Sequence, residues 1–211
     1  MIRTTALAVL VSISFTALAA NEANEDTGLA KARQTAQTVC AACHGTDGNS
    51  PTSANPIIAG QIPEYLLKQL KEFQSIDGKP AVRNNPIMAG MTAALNAEDM
   101  KALARYFSQQ KQKPSAATSA KLVETGRTLW RRGDSERGIA ACAGCHGPTG
   151  AGVPAQYPRL SGQYAEYIEI QLKNFRSEER SNDPEGMMRN IADRMSDKQI
   201  KAVADYIAGL R

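Results

Sequence analysis

Apolar side chains recur at helical spacing in the middle of each half of this 211-residue chain. In both halves they stand at i, i+4 and i+7, which puts them on one face of an amphipathic helix. The six positions are Leu66, Leu70 and Phe73, then Ile168, Leu172 and Phe175. A weaker pattern predicts an earlier helix in each half, over about residues 29–39 and 121–130.

Each half also ends in an amphipathic pattern with a recognisable helix start. Asn96 is the expected N-cap of the first closing helix, because Glu98 and Asp99 follow in the first turn, where acidic side chains complement the helix dipole. Ser196 and Gln199 form a capping-box pattern at the start of the second. The predicted buried faces carry Met100, Leu103 and Phe107, and Ile200, Val203 and Ile207. No β-rich segment occurs, so the expected fold class is all-α.

These patterns belong to a duplicated unit. Residues 60–73 match residues 162–175 at an offset of 102, and towards the end of each half the offset falls to 100. A period this long does not fit a solenoid and indicates two tandem domains. A polar stretch rich in Pro, Ser and Ala separates the copies and is the expected linker. The predicted boundaries are 22–112 for domain one, 113–120 for the linker and 121–211 for domain two.

All four cysteines and both histidines lie in two copies of Cys-x-x-Cys-His. The copies are Cys40, Cys43 and His44 in the first half, and Cys142, Cys145 and His146 in the second. This spacing is the attachment signature of c-type haem, in which the two thiols form thioethers with the porphyrin vinyl groups and the adjacent imidazole ligates the iron. The sequence therefore predicts two covalently attached haem c groups, one in each half.

Three other interpretations of the cysteines are weaker. Two disulfides would leave the histidine after each second cysteine unexplained. A thioredoxin-like motif requires a βαβ context that the surrounding sequence does not offer. Zinc usually takes four N or S ligands, and each motif supplies three with no spare Cys or His.

The second axial ligand of each iron is found by subtraction. With no third His or Cys, it must be Met, Lys, Tyr, a terminal amine or nothing, and Met is the usual partner in electron-carrying cytochromes c. At the 100-residue offset only Met88 and Met188 face each other as Met, and we expect them to be the ligands. The four that face Ile or Leu, as core packing would allow, are Met91, Met100, Met187 and Met195. Met91 and Met187 are the next candidates.

A proline lies twelve residues after each motif histidine. These prolines, Pro56 and Pro158, head matching segments of the repeat. A proline keeps a free carbonyl, so each is a candidate to accept the Nδ1–H of its histidine and leave the other ring nitrogen for iron. The alternative is simple turn punctuation.

Residues 1–20 have the pattern of an export signal. Arg3 precedes an apolar run over residues 6–18, and Ala17-Leu18-Ala19 is a small-residue cleavage site. The run is shorter than the ~20 apolar residues that span a bilayer, which disfavours the alternative of a retained anchor. We therefore expect an exported protein, periplasmic if bacterial.

Charge adds little to this picture. Residues 20–112 are neutral and residues 113–211 carry a net charge of +3. No basic stripe is interleaved with aromatic residues, so nucleic-acid binding is not expected. The insertion at 131–138, which the first half lacks, carries three arginines and is a candidate for docking an acidic partner.

Over essentially the whole chain after residue 20, the sequence resembles the dihaem cytochromes c4. The resemblance is carried by the two motifs, the Gly48–Pro51 loop, the Gly-Gln-x-x-x-Tyr entry to each middle helix and the Met-x-Gly-Met-x-x-x-Leu run at 88–95. It implies two class I cytochrome c-like domains related by pseudo-twofold symmetry, His/Met ligation at each iron, and haem propionates near the domain interface. It also implies delivery of electrons to a terminal oxidase.

The leading functional hypothesis is a soluble one-electron carrier without enzymatic activity. Its expected partners are redox proteins, a membrane terminal oxidase or a cytochrome bc1-type donor, with peripheral membrane association left open. The second hypothesis is the cytochrome subunit of a complex such as flavocytochrome c sulfide dehydrogenase. The third, a dihaem enzyme such as a peroxidase or thiosulfate dehydrogenase, needs an open or unusually ligated iron, and the absence of a third His or a free Cys argues against it.

Overall fold

The computed structural model describes residues 27–211, and the predicted export signal at residues 1–20 lies outside this part of the chain. In the first half a helix over residues 27–35 (α1) continues into a π-helical turn at Ala36–Cys40, followed by α2 (Ala41–His44), α3 (Pro63–Glu72), α4 (Pro86–Thr92) and α5 (Ala97–Ser108). The second half contains α6 (Ala120–Arg132), α7 (Ala143–His146), α8 (Ala165–Arg176), a 3₁₀ turn at Pro184–Gly186, α9 (Met187–Asp193) and α10 (Asp197–Gly209). Residues 27–211 form isolated β-bridges but no strand, so the all-α fold class is confirmed.

The predicted starts and buried faces of the two closing helices are confirmed. At α5 the Asn96 side chain accepts the Asp99 N–H at 2.9 Å, and the Asp99 carboxylate accepts the Asn96 N–H. Ser196 and Gln199 form the same reciprocal pair at α10. The six apolar residues expected to point inward are at most 5% exposed. The short helices α2, α4, α7 and α9 were not predicted, because one or two turns carry too little periodicity.

Each half packs its middle and closing helices around its own core. Helix α3 packs against α5, and α8 packs against α10. In the second half α6 also crosses α10 at Gly126, where a Cβ would collide with the carbonyl of Ala202. Trp130, fully buried, lies in the second core one turn further along α6. Among residues 27–211 no helix is long and apolar enough to cross a bilayer.

The predicted linker, 113–120, is hydrogen-bonded to both halves. The Lys113 N–H donates to Asn49 Oδ1 at 2.6 Å in the first half. In the second half the buried Asp205 carboxylate accepts the backbone N–H and the hydroxyl of Thr118 at 2.8 and 2.9 Å. These contacts hold the linker against both domains.

The insertion at 131–138 folds back on its own half. Asp134 and Ile139 exchange two backbone hydrogen bonds of 2.8 Å, which makes a short hairpin after α6. Arg137 Nε donates to the carbonyl of Arg194 at 2.8 Å, and Arg194 donates to the carbonyl of residue 138 at 2.9 Å. One of the three arginines considered for partner docking is therefore bonded within the domain.

Candidate functional site

Each Cys-x-x-Cys-His motif is wound into a helical turn. Because residues at i, i+3 and i+4 share one face of a helix, Cys40, Cys43 and His44 lie on the same side of the turn formed by the π segment and α2. The second motif is wound in the same way, with Cys142 at the N-cap of α7 and His146 at its last residue. A glycine with positive φ, 74° and 78°, follows each histidine and ends the helix. The local fold thus presents two thiols and an imidazole together.

The thiols are available for chemistry. All four cysteines are free, so the disulfide alternative is not realised. Burial raises the pKa of Cys142 to about 11 and also raises the pKa of Cys40, which keeps both groups as neutral thiols. Among residues 27–211 no group of three or more His, Cys, Asp or Glu side chains is arranged so that it could hold a metal ion by itself.

Each histidine is held through one ring nitrogen. His44 Nδ1 lies 3.0 Å from the carbonyl oxygen of Pro56, and His146 Nδ1 lies 3.0 Å from that of Pro158. A carbonyl only accepts, so Nδ1 carries the proton and Nε2 keeps its lone pair. Burial lowers the pKa of both histidines, although the hydrogen bonds to the carbonyls act in the opposite direction. Both imidazoles are therefore neutral and fit to ligate iron through Nε2.

The two predicted sulfur ligands lie on short helices that are packed differently. Met88 is half-buried on α4, and its N–H donates to Asn85 Oδ1 at 2.9 Å. Met188, half-buried on α9, packs against the second core, as Cys142 does. In the first half Cys40 packs against the core, but Met88 is not among the described residues that do so. Among the described residues, a motif cysteine and the predicted methionine ligand therefore pack against the same core in the second half but not in the first.

The other methionines divide by burial. Met100 and Met195 are 2% and 3% exposed, as expected for packing residues. Met91 is 49% exposed, so the packing role suggested by its aliphatic counterpart is wrong. That counterpart, Ile191, packs on the second core because α9 lies against α8, whereas α4 has no comparable contact with α3.

Two arginines, the buried Arg180 and the half-buried Arg83, meet across the boundary between the halves. Each guanidinium donates to a glutamine on the middle helix of its own half and to a tyrosine and a glutamine on the middle helix of the other, over 2.6–3.3 Å. Each also stacks on a phenylalanine ring of its own half, at 4.6 and 4.5 Å from the ring centre. We call these residues the interface arginine cluster: Arg83, Arg180, Tyr65, Tyr167, Gln69 and Gln171.

The interface arginine cluster is electropositive. In the described chain neither Arg83 nor Arg180 has a carboxylate within 4.0 Å. Burial by itself would raise the pKa of Tyr65, but the charges of Arg180 and Arg83 outweigh it and lower that pKa. At the same boundary Arg159 Nε is buried without a hydrogen-bond partner among residues 27–211, and burial lowers the pKa of Arg159. Partly or fully buried guanidiniums that lack an ion-pair partner fit an anionic ligand group such as a carboxylate.

Sequence reasoning missed this polar boundary, although the repeat contained a signal for it. The residues of the boundary are polar side chains retained in both copies at an offset of 102. The pairs are Gln61 with Gln163, Tyr65 with Tyr167, and Gln69 with Gln171. By themselves such pairs mark only the duplication, since the repeat does not show which residues of the two copies face each other.

The chain matches the cytochrome c family model twice, over residues 29–111 and 123–211. It is 42% identical over 208 residues to cytochrome c4 of Azotobacter vinelandii, covering 96% of this chain and 96% of that protein. It is 43% identical over 172 residues to a thiosulfate dehydrogenase electron acceptor of Thiomonas intermedia, covering 80% of this chain and 77% of the relative. The structure of reduced recombinant cytochrome c4 from Pseudomonas stutzeri is similar with a TM-score of 0.78 and 39% identity, covering 88% of this chain and 98% of that one.

Proposed function

The chain belongs to the dihaem cytochrome c4 family, and from that premise we propose that it delivers single electrons to a terminal oxidase in a respiratory chain. It has two tandem cytochrome c domains, each with one covalent haem c, and it is an electron carrier. When bound, each haem supplies one-electron redox chemistry. The residues of the chain attach the haem, ligate its iron and set its surroundings.

We assign the attachment and ligation as follows. The thiols of Cys40 and Cys43, and of Cys142 and Cys145, form the thioether bonds. His44 and His146 ligate the irons through Nε2, and Met88 and Met188 ligate them through sulfur. With a histidine and a methionine holding each iron, neither iron would be open to a substrate, so we assign no catalytic residue.

One observation supports this assignment above the others: each motif histidine has its Nδ1 tied to a proline carbonyl at 3.0 Å, in the same way in both halves. That contact fixes the tautomer and orients the ring, which metal-binding histidines generally require. Pro56 and Pro158 are accordingly the residues that position the histidines.

Absorption spectroscopy of the oxidised protein tests the ligands. The weak long-wavelength band from methionine-to-iron charge transfer should have the intensity expected for two methionine-ligated haems per chain. Met88→Ala and Met188→Ala should each remove half of it, whereas Met91→Ala and Met187→Ala, the matched controls, should leave it intact. Carbon monoxide binding to the reduced wild-type protein would contradict the assignment.

We propose that the interface arginine cluster and Arg159 receive the haem propionates. The support is charge: Arg180 is buried, Arg83 and Arg159 are half-buried, and none of the three forms an ion pair within 4.0 Å in the described chain, so a bound carboxylate would compensate them. Replacing Arg180 with Met should remove a cation that favours the reduced haem and therefore lower a reduction potential. A potentiometric titration measures this, and unchanged potentials would contradict the placement.

A second candidate function is acceptance of electrons from a thiosulfate-oxidising enzyme. The relative of Thiomonas intermedia, 43% identical, is named as such an acceptor. Stopped-flow mixing with a thiosulfate dehydrogenase and with a membrane terminal oxidase separates the two roles. Rapid reduction by the first supports the acceptor role, and rapid oxidation by the second supports the respiratory role.

We propose a periplasmic location with export directed by residues 1–20. The support is the charged, apolar and small-residue pattern of that segment. Mass spectrometry of the mature protein tests it, and the expected result is an N-terminus close to residue 20 with the mass of two haems added. An intact Met1 on haem-loaded protein would contradict cleavage.

A further inference from the structure

Two glutamines make reciprocal contacts across the domain boundary. Gln163, in the second half, accepts the N–H of Ile57 at 2.9 Å and donates to the carbonyl of Ile57 at 2.7 Å. Gln61, in the first half, does the same to Arg159, at 2.8 and 2.9 Å. The two glutamines are 9% exposed or less. Each is also fixed by its own backbone, since its Oε1 accepts the next residue's N–H at 2.9 or 3.0 Å.

The peptide group that each glutamine binds is the one that holds a haem-binding histidine. The Pro56–Ile57 peptide presents its carbonyl to His44 Nδ1 and its N–H to Gln163 Oε1. The Pro158–Arg159 peptide presents its carbonyl to His146 and its N–H to Gln61. Each iron-ligating imidazole is therefore one peptide group away from a side chain of the other domain.

We propose that Gln163 tunes the reduction potential of the haem in the first domain, and Gln61 that of the haem in the second. This inference depends on the ligation assigned under the proposed function. An acceptor on the peptide N–H polarises the peptide and makes its carbonyl oxygen a stronger acceptor. A stronger bond from the carbonyl to Nδ1–H gives the imidazole more anionic character and raises its basicity as a ligand. A more basic ligand stabilises the ferric state, so each glutamine lowers the potential of the haem across the boundary.

The crossed arrangement distinguishes tuning from simple packing. A residue that only stabilises its own domain would affect the haem of that domain, or both haems together when the interface loosens. Gln61 and Gln163 contact the histidine-binding peptide of the opposite domain, so the effect must appear in the opposite haem. Docking of the two domains is in this way part of what sets both potentials.

The experiment is a redox titration of the haem-loaded full chain, followed by NMR so that each haem is observed separately. Gln163→Met keeps the length of the side chain and removes both of its hydrogen bonds to Ile57. We expect it to shift the reduction equilibrium of the first haem about threefold towards the reduced form, about 28 mV at 59 mV per tenfold, and to leave the second haem unchanged. Gln61→Met should produce the same shift in the second haem and leave the first haem unchanged. The Nδ1–H resonance of the histidine across the boundary should move with the potential in each case.

The control is Gln112→Met. Gln112 Nε2 donates to the Ser161 carbonyl at 3.0 Å, so this variant also removes a bond between the halves but touches neither histidine-binding peptide. Gln163→Glu is the second variant. It keeps the shape and the oxygen that accepts the Ile57 N–H, loses only the amide donor, and should leave the first haem's potential at or below the wild-type value.

The outcomes separate this inference from the function it rests on. Failure to load haem at both motifs of the wild-type chain would overturn the proposed function. With both haems loaded, a shift in the haem of the mutated domain, an equal shift in both haems, the same shift in Gln112→Met, or a raised potential in Gln163→Glu would overturn only the tuning role.

Discussion

In the two halves, equivalent backbone carbonyls accept a hydrogen bond from different side chains. Two residues after each motif histidine, the carbonyl of Thr46 accepts the hydroxyl of Tyr106 at 3.0 Å, and the carbonyl of Pro148 accepts the indole N–H of Trp130 at 3.1 Å. Tyr106 belongs to the closing helix α5, whereas Trp130 belongs to α6, the first helix of its half. The duplicated unit thus retains the acceptor beside the haem motif, while the helix that supplies the donor differs.

The helical segments that begin the two halves differ at the corresponding positions. With the insertion at 131–138 set aside, Ala32 and Ala36 stand where Gly126 and Trp130 stand. All are buried, but the second half combines an indole with a glycine that lets α10 approach closely. The first half fills the same positions with two small side chains. The second domain therefore depends on one large core residue that the first domain lacks.

The methionine-bearing helices differ as well. Met188 and Ile191 pack on the second core, while Ile87 and Met91 on α4 are 68% and 49% exposed. Helix α9 lies against α8, but α4 has little contact with α3. In the first half the expected sulfur ligand is therefore held less by packing than in the second.

Replacing Trp130 with Ala should have the largest effect. The loss of a fully buried indole is expected to destabilise the second domain by about 3–5 kcal/mol. Denaturant unfolding of the haem-loaded protein measures this, and the second domain should unfold first. Trp130→Phe is the matched control, which keeps most of the ring volume, loses the bond to Pro148 and should cost much less. A loss below about 1 kcal/mol for the alanine variant would show that this core does not depend on the indole.

Competition with imidazole should distinguish the two methionine helices. Because α4 is less packed than α9, we expect imidazole to displace the ligand of the first haem at roughly tenfold lower concentration, which is about 1.4 kcal/mol. Loss of the methionine–iron band, followed separately for each haem in the single Met88→Ala and Met188→Ala variants, measures it. Equal midpoints would mean that helix packing does not govern the strength of ligation.

Tyr106→Phe should cost the first domain about 1 kcal/mol, because the carbonyl of Thr46 loses its buried donor. Tyr206 occupies the equivalent position in the second domain, where it contacts Trp130 and its hydroxyl makes no hydrogen bond within residues 27–211. Tyr206→Phe should therefore change stability by less than about 0.5 kcal/mol. Equal losses of stability in the two variants would argue that the donor to this carbonyl does not differ between the halves.

The smallest effect on stability is expected in the insertion. Arg131 and Arg132 are exposed, and neutral replacement by Gln should change the free energy of unfolding by less than about 0.5 kcal/mol. If this surface guides an acidic partner, electron transfer should slow at low salt, and the difference from wild type should vanish as salt is added. A rate that does not depend on ionic strength in either protein would leave the insertion without a docking role.

Much of this site could be predicted from residue types and spacing. Helical periodicity and caps are local properties, so the buried faces of α5 and α10 followed from the residues around Asn96 and Ser196. The twelve-residue spacing from each histidine to Pro56 or Pro158 predicted a contact that the structure contains. The exposure of Met91 could not be predicted, because it depends on whether α4 lies against α3.

The sequence by itself determined that two haem motifs stand in a twice-repeated helical unit, since covalent chemistry and helix periodicity depend on residues close together in the chain. Only the tertiary structure decided which residues of the two copies face each other, that Arg83 and Arg180 lie between them, and that Gln61 and Gln163 reach the other copy's histidine-binding peptide. Those contacts join residues about one hundred positions apart, and their geometry depends on how the two domains pack.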